Sequence, residues 1–490
     1  MSRLNREIAK LSATEIVQHI AQGNFSATEC TQHFLDSIDH ANPRLNALIT
    51  VAGEQALESA AAIDQLVRSK KKLGPLAGLP IAIKDGICTA GLRTSAGSRM
   101  LQNFVPPYDA TIVKRLKDAG AIVIGKTNMD EFAMGSSTEN SCVGPTLNPW
   151  STEFVSGGSS GGSAACVAAD LAPTAIGSDT GGSIRQPAAF CGVTGLKPTY
   201  GRVSRNGLIA FGSSLDQIGP LTRSAADAAL ILTTIAGHDS QDSTSAMVDS
   251  GDYSTALDES IKGLKIGVCR EHFGAGLNPE IDIAIQEAIR VLADRGAQIV
   301  ETSLPQTEFA VPAYYVIACC EASSNLARFD GVRYTHREPG DDLEQMYCQT
   351  RAAGFGAEVK RRIMLGTFAL SSGYYDAYYL RASKVRRIIK QDYDVALERC
   401  DLILGPTTPT AAFRLGEHTQ DPLEMYLADI YTVSANLAGI PAISVPCGFS
   451  SAGLPIGMQL QGRAFAESTL LQVAHQYQQQ TDWHLRRPVF

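Results

Sequence analysis

One lysine and two serines stand in glycine-rich settings that could support acyl transfer. Lys84 lies in IAIKDG (81–86), Ser159 lies in SGGSSGGSAA (156–165) and Ser183 lies in GSDTGGSIRQPAA (177–189). The chain has no histidine between residues 41 and 237, so a nucleophilic serine in these segments needs a base from elsewhere. A neutral lysine amine can act as that base. The pattern therefore favours serine–lysine chemistry, which is a narrow class of acyl transfer.

The residues around Ser183 suit a nucleophile. Gly181 and Gly182 precede it, so a substrate carbonyl can approach the backbone without interference from a Cβ atom. Backbone N–H groups from Thr180 to Ser183 could converge on an oxyanion, and a helix beginning near residue 184 would add its positive end. The alternative interpretation is a flexible glycine–serine turn. Two such segments with almost no charge favour an internal site.

Lys84 follows an apolar segment, LPIAI (79–83), that predicts a buried strand. Burial disfavours the charged form of an amine and lowers its pKa toward the range of a general base. The alternative interpretation is a solvated lysine at the end of a strand, beside Asp85. The sequence leaves both interpretations open.

Two other motifs compete with this interpretation. Residues 120–127, GAIVIGKT, have the letters of a Walker A phosphate loop, but their centre is typical of a buried strand. Residues 157–161, GGSSG, have the letters of a nucleophile elbow. An elbow needs a preceding strand, which residues 150–156 do not predict, and a histidine. His418, His475 and His484 remain candidates for that histidine.

The rest of the chain predicts an α/β fold with a central, mixed and mostly parallel sheet that helices cover on both faces. Ser12-x-x-Glu15 and Ser26-x-x-Glu29 have the form of capping boxes and predict two N-terminal helices. Short apolar segments predict strands at 79–83, 121–125, 264–268, 297–301, 401–405, 441–446 and 455–460, and helical patterns follow at 281–295 and 467–481. We expect one domain over 1–490, with an N-terminal helical part (1–65), a core (74–225) and a remainder (226–490) that completes the sheet and the substrate pocket.

Composition limits the possible partners and the compartment. Forty-two Lys and Arg against 50 Asp and Glu give a net charge of −8, which argues against a broad basic surface for nucleic acid. The 11 cysteines form no CxxC pair, so no cysteine metal site is expected and a reducing compartment is favoured. The N-terminus has no signal-peptide pattern, and no apolar run approaches the length of a membrane span. We expect a soluble, cytoplasmic protein.

The motifs together resemble the amidase signature family. The resemblance rests on GPLAGLPIAIKDGI (74–87), SGGSSGGSAA (156–165) and GSDTGGSIRQPAAFCGVTGLKPTYGRVS (177–204). It implies that Ser183 is the nucleophile, that Ser159 follows a cis peptide bond and relays the proton, and that Lys84 is the base. Backbone N–H groups of Thr180, Gly181 and Gly182 would stabilise the oxyanion.

Three later segments are similar to one branch of this family, the glutaminase subunits of glutamyl-tRNA(Gln)/aspartyl-tRNA(Asn) amidotransferases. These segments span residues 312–334, 358–379 and 421–446. The resemblance implies that Arg362 binds the glutamine carboxylate and Asp429 its ammonium, with Tyr314 nearby. Arg361 and Tyr315 are adjacent alternatives, and a surface salt bridge is the alternative for Arg362.

The same resemblance implies a heterotrimer with B and C subunits. The B subunit would bind ATP and Mg²⁺ and make most of the tRNA contacts, and this chain would need no cofactor or metal. Three alternatives remain open from the sequence: a stand-alone amidase acting on small or aryl amides, a P-loop NTPase and a non-catalytic scaffold subunit.

Overall fold

The computed structural model describes residues 8–274, 276–419 and 421–489. The α-helices in these residues are α1 (Ala13–Gln22), α2 (Ala27–Leu45), α3 (Gly53–Arg68), α4 (Thr111–Asp118), α5 (Gly161–Ala168), α6 (Arg185–Cys191), α7 (Ala225–Ile235), α8 (Pro279–Asp294), α9 (Ala310–Asn325), α10 (Leu343–Gly354), α11 (Ala357–Leu370), α12 (Arg381–Arg399), α13 (Pro422–Leu427), α14 (Val433–Ala438) and α15 (Glu467–Gln478). In the part of the chain that is described, none of the helices has the length and apolar character needed to cross a membrane.

The strands are β1 (Leu48–Val51), β2 (Pro80–Lys84), β3 (Ile122–Thr127), β4 (Leu147–Asn148), β5 (Ser151–Val155), β6 (Thr174–Asp179), β7 (Thr194–Lys197), β8 (Gln217–Thr222), β9 (Lys265–Cys269), β10 (Gln298–Thr302), β11 (Leu402–Pro406), β12 (Ala442–Phe449) and β13 (Pro455–Gly462). Eleven of them form one sheet, in the order β1-β3-β2-β6-β8-β7-β12-β13-β11-β9-β10, and β4 pairs with β5 separately. Strands from the N-terminal and C-terminal halves of the chain therefore share one sheet.

The sheet is mixed, as the sequence predicted, but the pairings within the described residues are less often parallel than expected. Four pairings are parallel, and they lie in two groups, β3-β2-β6 and β11-β9-β10. The other six are antiparallel. In the first group, β2 and β6 run in the same direction side by side, so the loops that follow Lys84 and Asp179 leave the same edge of the sheet.

Local signals in the sequence predicted many of these elements correctly. Ser12 and Ser26 each accept the N–H of the residue three positions on, and Glu15 and Glu29 complete both capping boxes. All seven segments predicted as strands contain strands. The expectation that residues 150–156 are not a strand was wrong, because β5 pairs there with the very short β4. Only Val155 of β5 is buried, so the strand has no alternation of apolar and polar residues that would mark it.

The sheet packs between two apolar cores, which confirms that both faces are covered. On β11, Leu402 and Leu404 lie in the larger core, whereas Ile403 points to the other core. Helices α2, α7, α8 and α15 contribute to the larger core, and α9, α12 and α14 contribute to the second. Successive side chains of a strand point to opposite faces, so the second core brings α9, α12 and α14 over one face of the sheet.

Candidate active site

Lys84, the last residue of β2, is completely buried. Its Nζ lies 2.7 Å from Ser159 Oγ, 2.8 Å from Ser160 Oγ and 3.3 Å from the carbonyl oxygen of Ser178. Burial lowers the pKa of this amine from its ordinary value of 10.5 to about 7, although the charges of Asp130, Asp179 and Asp216 oppose the shift. The interpretation of Lys84 as a solvated lysine is therefore wrong, and a large part of the amine is neutral near pH 7.

Ser159 and Ser160 lie in the turn before α5, and the peptide bond between Gly158 and Ser159 is cis. Both serines are completely buried. Ser160 Oγ accepts the N–H of Ser178 at 3.2 Å and donates to its carbonyl oxygen at 3.0 Å. Lys84 Nζ thus contacts two consecutive hydroxyl groups, and the sequence had singled out only the first of them.

Ser183 is linked to the segment of Ser159 and Ser160 by a backbone hydrogen bond. The N–H of Ser160 donates to the Ser183 carbonyl oxygen at 3.1 Å, which places the two serine segments side by side. Ser183 is 8% exposed, whereas Lys84 and Ser159 are 0% exposed. Its hydroxyl makes no hydrogen bond with another residue that the structure describes. Of the three predicted catalytic residues, Ser183 is therefore the one that a substrate can reach.

The loop before Ser183 is held by the carboxylate of Asp179, at the end of β6. One oxygen accepts the N–H of Gly182 at 2.9 Å, and the other accepts the N–H of Ile184 at 3.1 Å. Arg185 forms a completely buried ion pair with the same carboxylate at 3.0 Å. Burial alone would raise the pKa of Asp179, but Arg185 outweighs it and holds the value at about 2. Asp179 therefore stays ionised and fixes the loop.

This contact corrects one part of the predicted oxyanion site. The sequence assigned Thr180, Gly181 and Gly182 as donors, but the N–H of Gly182 is already taken by Asp179. The N–H groups of Thr180 and Gly181 make no hydrogen bond with other described residues. Thr180 is positioned by its side chain, which donates to Asp216 at 2.6 Å. Of the three predicted donors, Thr180 and Gly181 are the ones free to bind an oxyanion.

The glycines of the loop allow the substrate pocket to lie close to the nucleophile. A Cβ on Gly181 would come within 2.6 to 2.9 Å of the Tyr314 ring. A Cβ on Gly182, whose φ is +142°, would lie 2.9 Å from Asp429 Oδ1. These separations are shorter than side chains tolerate, so only glycine fits at either position. Tyr314 and Asp429 therefore border the Ser183 loop, as their predicted roles require.

Arg362, in α11, is 2% exposed. Its Nε donates to Glu358 Oε1 at 2.8 Å, and its guanidinium lies over the rings of Tyr315 and Tyr426 at 5.1 and 5.4 Å. The two terminal nitrogens of Arg362 make no hydrogen bond with a described residue. Arg361 also pairs with Glu358, but its side chain is 45% exposed. The burial excludes a surface salt bridge for Arg362 and favours it over Arg361 as the carboxylate ligand.

Asp429 presents two different carboxylate oxygens. Oδ2 accepts the hydroxyl of Ser136 at 2.5 Å, whereas Oδ1 has no hydrogen-bond partner among the described residues. Burial raises the pKa of this carboxyl to about 7, and Asp179 adds to the effect, while Ser136 and Arg362 oppose it. A buried carboxylate with a free oxygen is suited to a cationic group of a ligand.

The structure also tests the two competing motifs. Residues 122–127 of the Walker-like segment are strand β3, and Lys126 Nζ donates to Thr94 Oγ1 at 2.8 Å inside the protein, so this segment does not wrap phosphate. A strand, β5, does precede the elbow-like segment. However, His418 bonds with Glu424 and His475 pairs with Asp258. His484 makes no contact with the two serine segments within the described chain. Among the described residues, these three histidines therefore make no contact that would support the elbow interpretation.

Several residues of the site were missed from the sequence, namely Asp130, Ser136, Ser160, Asp179, Arg185, Gln186 and Asp216. A signal existed for two of them. Ser160 is the second serine of a doubled pair, and Asp179 is one of only two charges between residues 154 and 184. The others act through contacts between distant segments, such as Ser136 with Asp429, and local patterns do not report these.

The geometry on β2, β6 and the two serine loops agrees with a comparison against protein-family models. The model of the Amidase family matches residues 29–471. The chain belongs to the Amidase family. The resemblance noted in the sequence is thereby confirmed, and the match extends through the segments that carry Tyr314, Arg362 and Asp429.

Relatives within the Amidase family are similar over nearly the whole chain. A curated protein of Moorella thermoacetica, named as the A subunit of glutamyl-tRNA(Gln) amidotransferase, is 59% identical over 482 residues, which cover 98% of this chain and 99% of that protein. The crystal structure of a protein of the same name from Thermotoga maritima has a TM-score of 0.80 and 43% identity, covering 95% of this chain and 94% of that one. A bacterial aryl acylamidase of the amidase signature family has a TM-score of 0.87 at 26% identity, covering 99% of this chain and 100% of that one.

Proposed function

We propose that this chain is the glutaminase subunit of a tRNA-dependent amidotransferase. It hydrolyses glutamine, and the ammonia converts Glu-tRNA(Gln), Asp-tRNA(Asn) or both to the amidated products. The observation that carries the proposal is a buried anion, Asp429, beside the loop of Ser183, together with a buried cation, Arg362, that interacts electrostatically with it. Free glutamine carries both an α-carboxylate and an α-ammonium, so this pair is complementary to it. The names of the Moorella and Thermotoga relatives support the same function.

Acylation begins with Ser183 as the nucleophile. Its Oγ attacks the side-chain carbonyl carbon of glutamine, and its proton passes to Ser159 Oγ. Ser159 in turn passes its own proton to Lys84 Nζ, which lies 2.7 Å away. A neutral lysine must be present at the start, and its lowered pKa supports that requirement. The N–H groups of Thr180 and Gly181 stabilise the negative oxygen of the tetrahedral intermediate.

The same groups act in reverse to release the products. Ser159 donates its proton to the leaving nitrogen, and the Lys84 ammonium returns a proton to Ser159. The bond between carbon and nitrogen breaks and ammonia departs, so Lys84 is neutral again. Lys84 then accepts a proton from water through Ser159, and the resulting hydroxide attacks the acyl group on Ser183. The bond between Ser183 Oγ and the acyl carbon then breaks, Lys84 returns the proton to Ser183 through Ser159, and glutamate leaves. Ser160, which also contacts Lys84 Nζ at 2.8 Å, keeps the amine directed at this path.

The partners of the chain belong to the proposal as well. We assign to it a heterotrimer with B and C subunits, in which the B subunit activates the tRNA-bound carboxylate with ATP and Mg²⁺. The tRNA contacts lie mainly on that subunit, which agrees with the net charge of −8 on this chain. This chain itself would act without a cofactor.

The test is ammonia transfer by the complex of the chain with its B and C subunits. Ser183→Ala should abolish glutamate release and glutamine-dependent amidation, while amidation from added ammonium chloride should persist because the B subunit is intact. Ser156→Ala is the matched control. Among the described residues, the buried hydroxyl that it removes bonds only with backbone carbonyl oxygens, the nearer of them that of Thr146 at 3.1 Å. Glutamate release by Ser183→Ala at the wild-type rate would contradict the assigned nucleophile.

The substrate is tested separately with Asp429→Ala. If the chain is a glutaminase, this variant loses glutamine hydrolysis, whereas Ser183 still reacts with a sulfonyl fluoride that lacks an amino group. A stand-alone amidase acting on small or aryl amides remains the alternative, and the relatives' names do not favour it. Undiminished glutamine turnover by Asp429→Ala would show that the pocket is wrongly assigned.

A further inference from the structure

The carboxylate of Asp429 is oriented by one neighbour, Ser136. The hydroxyl of Ser136 donates to Oδ2 at 2.5 Å, and the remaining oxygen, Oδ1, is buried without a partner in the described part of the chain. Oδ1 is also the atom that a Cβ on Gly182 would approach to 2.9 Å. The hydrogen bond to Oδ2 therefore turns the other oxygen toward the loop of the nucleophile.

Ser136 is itself fixed to the segment that carries Ser159. Its carbonyl oxygen accepts the side-chain amide of Gln186 at 2.7 Å, and the amide oxygen of Gln186 accepts the N–H of Gly158 at 3.0 Å. Gln186 is completely buried in α6, and Ser136 is 3% exposed. One glutamine thus holds both the residue before Ser159 and the residue that orients Asp429.

The charge of Asp429 depends on a small set of neighbours. Burial and the charge of Asp179 favour its neutral form, while Ser136, Arg185 and Arg362 favour the carboxylate. Two tyrosines also face it, Tyr314 and Tyr315. Ser136 is the single hydrogen-bond donor to Asp429 in this set of described residues, and a donor to a carboxylate stabilises the charged form.

We propose that Ser136 is a positioning residue for the α-ammonium of the substrate. Its hydroxyl holds Asp429 so that Oδ1 faces the ammonium, and Gln186 fixes the distance between this subsite and the serine relay. This inference rests on the proposed function, because it requires a substrate with an α-ammonium. Ser136 makes no contact with Lys84, Ser159 or Ser183, so its removal should weaken recognition of the substrate and leave the chemical step almost unchanged.

The experiment compares steady-state constants of the complete complex over a range of pH. In Ser136→Ala we expect KM for glutamine to rise by about 10- to 100-fold, the range for loss of a hydrogen bond to a charged group, and kcat to change by less than about threefold. The acid limb of KM should move to higher pH, because Asp429 loses a donor that favours its ionised form. Ser136→Thr, which keeps the hydroxyl, should restore most of the affinity.

Ser137→Ala is the matched control. Ser137 is also buried, but its hydroxyl accepts the N–H of Glu139 at 3.4 Å and does not contact Asp429. A further arm combines Ser136→Ala with Asp429→Asn, and the serine change should then have no additional effect on KM. If Ser136→Ala does not fold, Ser136→Cys replaces it, since the thiol has a similar size and donates weakly.

The outcomes separate the two proposals. A wild-type complex without glutamine hydrolysis overturns both. An active wild-type complex whose Ser136 variants keep the wild-type KM and its pH profile overturns the role of Ser136 alone. A fall in kcat at constant KM, or the same change in Ser137→Ala, also overturns it, because either result indicates a structural effect without specificity for the ammonium.

Discussion

The pH dependence of turnover follows from the burial of Lys84. The site needs a neutral amine, and burial lowers its pKa from 10.5 to about 7. At pH 7 about half of the amines are then neutral, against roughly one in 3,000 for an exposed lysine. The environment thus increases the population of active base by about three orders of magnitude. Below pH 7, kcat for glutamine hydrolysis should fall by about tenfold per pH unit.

Lys84→Arg tests the same reasoning at constant charge. An arginine does not deprotonate in the accessible range of pH, so the variant keeps a cation near Ser159 and loses the base. We expect kcat to fall by about 10²- to 10⁴-fold, the usual contribution of a general base. Asp130→Asn keeps the lysine and should change the pH at which kcat falls on the acid side. Asp130 is the first of the carboxylates that raise the pKa of Lys84, so its neutralisation should move the acid limb of kcat to lower pH.

The assay is glutamate release by the reconstituted complex at saturating glutamine between pH 5 and pH 9. Saturation matters because Asp429 also titrates near pH 7, and its protonation weakens binding of the substrate. The dependence of kcat on pH reports groups in the bound complex, whereas kcat/KM reports the free enzyme. A flat kcat between pH 5 and pH 8, or a Lys84→Arg variant with more than about a tenth of wild-type turnover, would refute the role of Lys84 as base.

Three further results are expected. Ser160→Ala should lower kcat by about 10- to 100-fold with little change in KM, since it leaves Lys84 Nζ with one hydroxyl partner fewer; initial rates at saturating glutamine measure this. Asp179→Asn should reduce the free energy of unfolding by about 3–5 kcal/mol in chemical denaturation, because Arg185 loses its buried ion-pair partner; an unchanged midpoint would contradict the ion pair. Lys126 is an internal hydrogen-bond donor and not a phosphate ligand. Calorimetric titration of the isolated chain with Mg-ATP should therefore show no heat of binding, and Lys126→Met should lower the thermal midpoint of unfolding.

The sequence predicted the parts of the site that depend on neighbouring residues. Lys84 ends an apolar strand, and Ser183 follows two glycines, so each has a local pattern that indicates its position. Five strands of the two parallel groups, β2, β3, β9, β10 and β11, were also recognisable from short apolar segments. Strands β6 and β8, TAIGSD and QIGPLT, were missed. Glycine and proline disfavour strands in general, and these two are retained because neighbours on both sides pair with them.

The remaining parts depend on contacts between segments that are far apart in the sequence. Ser136 and Asp429 are separated by 293 positions, and Arg185 meets Asn436 across 251. Periodicity and turn chemistry act over a few residues and carry no information on such pairs. The pocket residues Tyr314, Arg362 and Asp429 were found only because the segments that contain them resemble a known branch. The support around them was visible only in the folded chain.

Burial brings the pKa values of Lys84 and Asp429 into the same range. Desolvation lowers the pKa of the lysine and raises that of the aspartate, and both reach about 7. The two groups need the same change, since Lys84 must lose its proton to act as base and Asp429 must lose its proton to bind an ammonium. On the acid side, kcat/KM should therefore rise with pH more steeply than it would for a single titrating group, because two protons are lost. At higher pH the substrate's own ammonium deprotonates and removes the charge that Asp429 recognises. The acid limit thus belongs to the protein and the alkaline limit to the substrate.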